Sequence, residues 1–80
     1  MRLDKFLKVS RILKRRTLAA EACDMGNVTV NGRPSKSGHK LKVGDVVEIE
    51  FVGSTLKFRV LSLNEKARKE EASSLYEIVE

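Results

Sequence analysis

The 80-residue sequence has little of what most catalytic sites are built from: one cysteine, one histidine, no tryptophan and only four aromatic rings. A lone Cys23 excludes an intramolecular disulfide and fits a reducing compartment. Cys23 and His39 stand sixteen positions apart with no further ligand of matching type, so a zinc site lacks its ligands and a Cys–His nucleophile lacks an orienting third group. No GxGxxG or Walker lysine motif occurs, and Glu48 and Glu50 alternate with apolar residues as on an outward strand face, without the burial that tunes a general acid. The sequence therefore reads as a non-enzyme, with no catalytic residue, cofactor or metal. No apolar run approaches the roughly 20 residues that span a bilayer. Charges break up every apolar stretch of MRLDKFLKVSRIL, which excludes a secretory signal and leaves a cytoplasmic location as the expectation. Membrane-surface binding is disfavoured too, because the short apolar stripe of that segment is needed for a core. Phe6, Phe51 and Phe58 fit core stripes, and Tyr76 is left as the one candidate stacking ring. Recognition of splayed single-stranded bases is thereby disfavoured.

What is abundant is positive charge, unevenly placed. Residues 1–42 hold eleven lysines and arginines against three acids, a net +8, and residues 43–80 are net −3, for a total of +5. One basic face on a small domain is the electrostatic footprint of a polyanion, nucleic acid first.

The apolar pattern predicts α+β: two N-terminal helices packed on a small, mostly antiparallel sheet. Leu3, Phe6 and Leu7 fall on one side of a helix over 3–9, with Arg2, Lys5 and Lys8 off that stripe. Ser10 to Lys14 reads as a turn. A second helix over about 15–25 takes Leu18, Ala22 and Met25 as its core stripe with Ala19 beside it, and Gly26 ends it. Val28 and Val30 alternate in a strand, and Asn31-Gly32 is a strong hairpin-turn signal. Pro34 marks an edge, residues 35–42 a basic loop, and Val43-Gly44-Asp45 a turn. VVEIEF, with Val47, Ile49 and Phe51 facing inward, pairs through a turn at Gly53-Ser54 with a strand carrying Leu56, Phe58 and Val60. NEKARKEEASSLYEIVE fits either a helix or a closing strand. The division expected is a domain over 1–62 and a short extension over 63–80, packed on or flanking it.

Arg15 and Arg16 raise the sharpest question. They precede a helix whose free N–H groups favour anions, a misplacement of roughly 0.3–1 kcal/mol each. An external anion would turn that arrangement to use, taking the N–H groups and the guanidinium forks together.

RLDKFL, a basic turn, RRTLAAEACDMGNVTVNG and LKVGDVVEI together resemble the S4-type RNA-binding domain over about residues 1–60. The ending KEEASSLYEIV is similar to a stand-alone, ribosome quality-control subgroup, related to the fifteen-kilodalton ribosome-associated heat-shock protein. The resemblance implies a ribosome-associated protein on large-subunit ribosomal RNA and peptidyl-tRNA. It would support alanine tailing of stalled chains by a factor that recruits alanyl-tRNA. The alternatives are a heat-shock or assembly factor recycling aborted large subunits, or an RNA-targeting adaptor of a separate enzyme. Carried onto this sequence, the family's RNA surface selects Arg2, Lys5, Arg15 and Arg16. Lys8, Arg11 and Lys14 join by proximity and charge, and Lys36 and Lys40 form a second cluster, with His39 and Lys42, in the basic loop. Asp4 is expected to pair with a neighbouring cation or cap the first helix, and Asn31 and Gly32 to serve the turn. With no long apolar patch left over, a monomer is expected.

Overall fold

The computed structural model describes residues 1–80. Helix α1 (Leu3–Val9) and helix α2 (Arg16–Asp24) precede strands β1 (Val28–Val30), β2 (Arg33–Pro34), β3 (Val46–Phe51) and β4 (Ser54–Val60). A 3₁₀ helix (Lys69–Leu75) then leads into strand β5 (Tyr76–Ile78). The strands form one antiparallel sheet in the order β2-β1-β3-β4-β5. The α+β reading, with two helices on a small antiparallel sheet, holds.

The core lies between the helices and one sheet face, where Leu3, Phe6 and Leu7 of α1 meet Val28, Val30, Val47, Ile49, Phe58 and Val60. Phe6 and Phe58 stack at 6.0 Å, and Tyr76 meets Phe58 edge-on at 5.4 Å. Each such ring pair contributes about 0.5–1.5 kcal/mol beyond its buried area. Tyr76 is thus committed to the core rather than free to stack on a base. The closing segment is both things its sequence allowed, a 3₁₀ turn and then a strand. Glu71 Oε1 accepts the Arg68 N–H at 3.2 Å where that turn begins, and buried Ala72 and Leu75 anchor it.

Two expectations about the core are corrected. Helix α2 buries Ala19 and Cys23, whereas Leu18 is 48% and Met25 74% exposed. The small side chains let the backbone of α2 come close to its neighbours, so the buried stripe is the small one and the large residues of the expected stripe point outward. Phe51 is also exposed, at 41%, because it closes the β3–β4 ladder opposite Ser54 at the far end of the hairpin. The loop there is Val52-Gly53 rather than Gly53-Ser54, since Ser54 pairs with Phe51.

The two family motifs that flank the basic loop are structural and tied to each other. Asn31 and Gly32 both have positive φ, 53° and 82°, which gives the I′ turn that joins β1 to β2. The Asn31 side chain donates to Asp45 Oδ1 at 3.1 Å and accepts the Val46 N–H at 3.0 Å. Asp45 Oδ2 in turn accepts the Lys42 N–H at 2.9 Å. The turn and both ends of the loop are thereby locked to the sheet, as the turn reading of Asn31 and Gly32 requires.

Candidate RNA interface

Asp4 organises the basic face. Its residue is 4% exposed, yet its carboxylate carries two guanidiniums. Arg2 grips it with two hydrogen bonds, Nε to Oδ1 at 3.2 Å and Nη2 to Oδ2 at 3.3 Å. Arg16 reaches across from α2, Nε to Oδ2 at 3.3 Å and Nη2 to Oδ1 at 3.5 Å. The Lys5 N–H adds a fifth contact to Oδ1 at 2.7 Å. One carboxylate thus holds two positive groups side by side and leaves the local charge positive.

The chemistry follows from the donor count. A guanidinium has five N–H donors in a rigid plane. With two of them hydrogen-bonded to Asp4, Arg2 keeps three, and Arg16, with one such bond beside its ion pair, keeps four. The Arg2 and Arg16 side chains are 52% and 47% exposed, so those remaining donors face solvent. Two fixed forks with spare donors suit phosphate, where parallel N–H···O bonds are short and charge-assisted.

The placement of Arg16 also settles how its helix tolerates it. Arg15 is the N-cap of α2 and Arg16 its first residue, and neither helix start carries a side-chain cap. The Arg16 guanidinium turns to Asp4 on α1, which neutralises part of the conflict with its own helix dipole. Arg15 remains exposed without an ion pair.

The basic loop is not a remote second cluster. Its backbone is stitched to the start of α1: the Leu3 N–H donates to the His39 carbonyl at 2.7 Å and the Asp4 N–H to Ser37 at 3.1 Å. The Leu41 N–H donates to Met1 at 2.9 Å, and Arg2 and Lys40 form a β-bridge. Asp24 Oδ1 at the end of α2 accepts the Ser37 N–H at 3.2 Å. Gly38 lies under the Arg2 guanidinium, with a Cβ there falling 3.7 Å from Nη2, ordinary contact distance. Lys40, exposed, is therefore paired with Arg2 along the backbone, and exposed Lys36 precedes the Ser37 that contacts both helices. Nothing in the sequence announced this junction, because it is made by backbone groups far apart in the chain.

The remaining predicted residues differ in their surroundings. Lys5 pairs with Glu65 at 3.5 Å, an exposed contact that ties the closing segment to α1. Lys8 lies in the last turn of α1, where a cation is favoured. Arg11 and Lys14 are exposed in the turn between the helices, and Arg11 has φ 63°, a left-handed conformation rare for a side chain of its size. Its neighbours pin it there. Ser10 is buried and donates to the Leu7 carbonyl at 3.4 Å, and the Leu13 N–H donates to the same carbonyl at 3.0 Å. Cys23 is a core thiol, 1% exposed, and burial first, with Asp24 and Asp4 adding to it, pushes its pKa up to about 11. A thiol so placed is protonated at neutral pH and is no nucleophile.

The chain is similar to several known proteins. The S4 domain family matches residues 1–47. A relative named RQC P-site tRNA stabilizing factor from Halalkalibacterium halodurans is 53% identical over 78 residues, covering 98% of this chain and 89% of that protein. Its namesakes from Streptococcus pneumoniae and Bacillus subtilis are 52% and 44% identical over 79 residues, with 90% and 92% of their lengths covered. Among solved structures, trimeric Vibrio cholerae heat shock protein 15 matches with a TM-score of 0.91 at 26% identity, covering 99% of this chain and 81% of that one. The solution structure of the hypothetical protein HP1423 matches with a TM-score of 0.84 at 26% identity, covering 100% of this chain and 98% of that one.

Proposed function

The chain belongs to the S4 domain family and, within it, to the RQC P-site tRNA stabilizing factors, and from that premise we propose that it is a non-catalytic RNA-binding protein of the large ribosomal subunit. In this reading it acts in quality control of stalled translation, as a monomer in contact with ribosomal RNA and peptidyl-tRNA. It supports a separate factor that recruits alanyl-tRNA to tail the stuck chain. The observation that carries the RNA surface is the pair of half-exposed guanidiniums fixed on buried Asp4. Arg15, Lys8, Arg11, Lys14, Lys36 and Lys40 surround them with further positive charge, and Lys5 joins by exchanging Glu65 for phosphate.

Binding through phosphates on a structured RNA follows from the donor types and from the helix face itself, where the one aromatic ring, Phe6, is buried. The experiment is sedimentation of tagged wild type and Arg16→Gln from cell extract, with RNA and nascent chains sequenced from each fraction. Wild type is expected on free large subunits that carry peptidyl-tRNA and alanine-tailed chains, with the variant left at the top of the gradient. A second reading, recycling of aborted large subunits without tailing, draws support from the close fold match to heat shock protein 15. It requires peptidyl-tRNA without alanine tails or the tailing factor. Absence of wild type from every ribosomal fraction overturns both.

A further inference from the structure

A groove lies outside the helix face. It has a volume of about 590 Å³ and runs between the β1–β2 turn and the far side of the basic loop. Arg33, His39, Lys40 and Lys42 line it together with Asn31 and Asp45, and Val30 is the one hydrophobic residue among them. Such a volume suits a ligand, but the polar lining does not suit an apolar one.

The charge balance of the groove is one-sided. Asp45 is its only acid, and both Asp45 oxygens are already engaged, by the Asn31 side chain and the Lys42 N–H. Arg33, Lys40 and Lys42 are exposed and take part in none of the four ion pairs of the molecule. The walls are rigid. The I′ turn, the fixed φ of Pro34 and the Asn31–Asp45–Val46 lock fix the backbone from which the cations extend, and none of the cations is neutralised. A backbone frame already fixed leaves only the side chains to be ordered when an anion arrives.

We propose that this groove, built by Arg33, Lys42 and the shared rim residue Lys40, binds the phosphate backbone of a second RNA segment. The proposal rests on the reading that the protein binds RNA. The loop over residues 35–42 then has two working sides. One joins the start of α1 at Arg2, the other opens on the groove through Lys42, and Lys40 sits where they meet.

The test uses the full chain, isotope-labelled, with backbone amide shifts followed by NMR while a short A-form RNA hairpin is added, and separately inorganic tripolyphosphate. With RNA, the amides of Arg33, His39, Lys42 and Asp45 are expected to shift as a second set beside those of Arg2 and Arg16. Arg33→Gln/Lys42→Gln should weaken the groove set about tenfold and leave the helix-face set in place. Arg2→Gln/Arg16→Gln should do the reverse. Both pairs are exposed, and unchanged amides of β3 and β4 verify the fold. If the helix-face set moves with RNA and the groove set does not, the groove proposal falls while RNA binding stands. A groove set that responds only to tripolyphosphate also overturns it, in favour of a free polyphosphate site. If neither set moves with RNA, the reading on which the proposal rests fails first.

Discussion

The helix face and the outer face of the sheet are both densely charged, and they handle charge in opposite ways. On the sheet, register places unlike charges opposite each other: Glu48 faces Lys57, and Arg59 faces Glu77 with an ion pair at 2.7 Å. On the helix face two arginines share one carboxylate, and Arg15, Lys8, Lys14, Arg11, Lys36 and Lys40 have no ion-pair partner. Charges neutralised in place serve the fold, modestly, since exposed pairs contribute about 0–1 kcal/mol. Charges left unneutralised against mutual repulsion serve a partner. Asp4 is the link between the two behaviours, because it sits in the fold as an ion-pair partner and directs the surplus outward.

The largest expected effect sharpens that contrast. Arg2→Gln/Arg16→Gln should lower affinity for large subunits roughly 100-fold or more, since charge-assisted hydrogen bonds contribute about 1.5–3 kcal/mol each. Lys57→Gln/Arg59→Gln, an equal loss of charge on the sheet, should change it less than about twofold in a filter-binding assay, because the contacts to phosphate are short-ranged. Next comes Asp4→Asn, where two arguments differ in sign. Removing a negative charge from a basic face favours an anion, whereas losing the carboxylate frees both guanidiniums. Orientation is expected to win, with affinity down about tenfold and stability down about 1–3 kcal/mol.

Smaller effects concern stability. Arg11→Gly should stabilise the protein by about 0.5–1 kcal/mol in denaturant titration, the left-handed cost of 1–2 kcal/mol less the added freedom of the unfolded glycine. Arg11→Ala keeps the strained φ and should gain nothing. Either change should weaken RNA binding slightly, through the lost charge. Cys23 gives a pH dependence of known sign. Its thiol is protonated in the fold to about pH 11 but ionises near 9 when unfolded, so stability is intact below 9 and falls as pH rises towards 11. Cys23→Ala should flatten that alkaline slope. The smallest effect is Arg59→Ala, at most about 1 kcal/mol, with no change in binding.

Much of this architecture is legible in the residues. Asn31-Gly32 specified its turn, the alternation in VVEIEF and TLKFRV specified the hairpin, and the surplus of cations before residue 43 specified a basic face. The stripe of α2 was misjudged because hydrophobic size favoured Leu18 and Met25, whereas close packing selected Ala19 and Cys23. The join between the 35–42 loop and α1 could not be read, since it rests on backbone hydrogen bonds, which carry no side-chain signature. For the same reason nothing in the residues joins Arg33 to Lys42 of the basic loop. They acquire a common groove only when the β1–β2 turn folds beside the loop.

The most direct test of the central claim is the salt dependence of large-subunit binding for wild type, Arg2→Gln/Arg16→Gln and Lys57→Gln/Arg59→Gln. If four to six phosphates are held, log affinity should fall with log salt at a slope of about −3 to −5. The helix-face variant should reduce that slope by about 1.5–2, and the sheet variant should leave it unchanged. Equal slopes for all three proteins, or an equal loss from both variants, would contradict a phosphate interface centred on Arg2, Asp4 and Arg16.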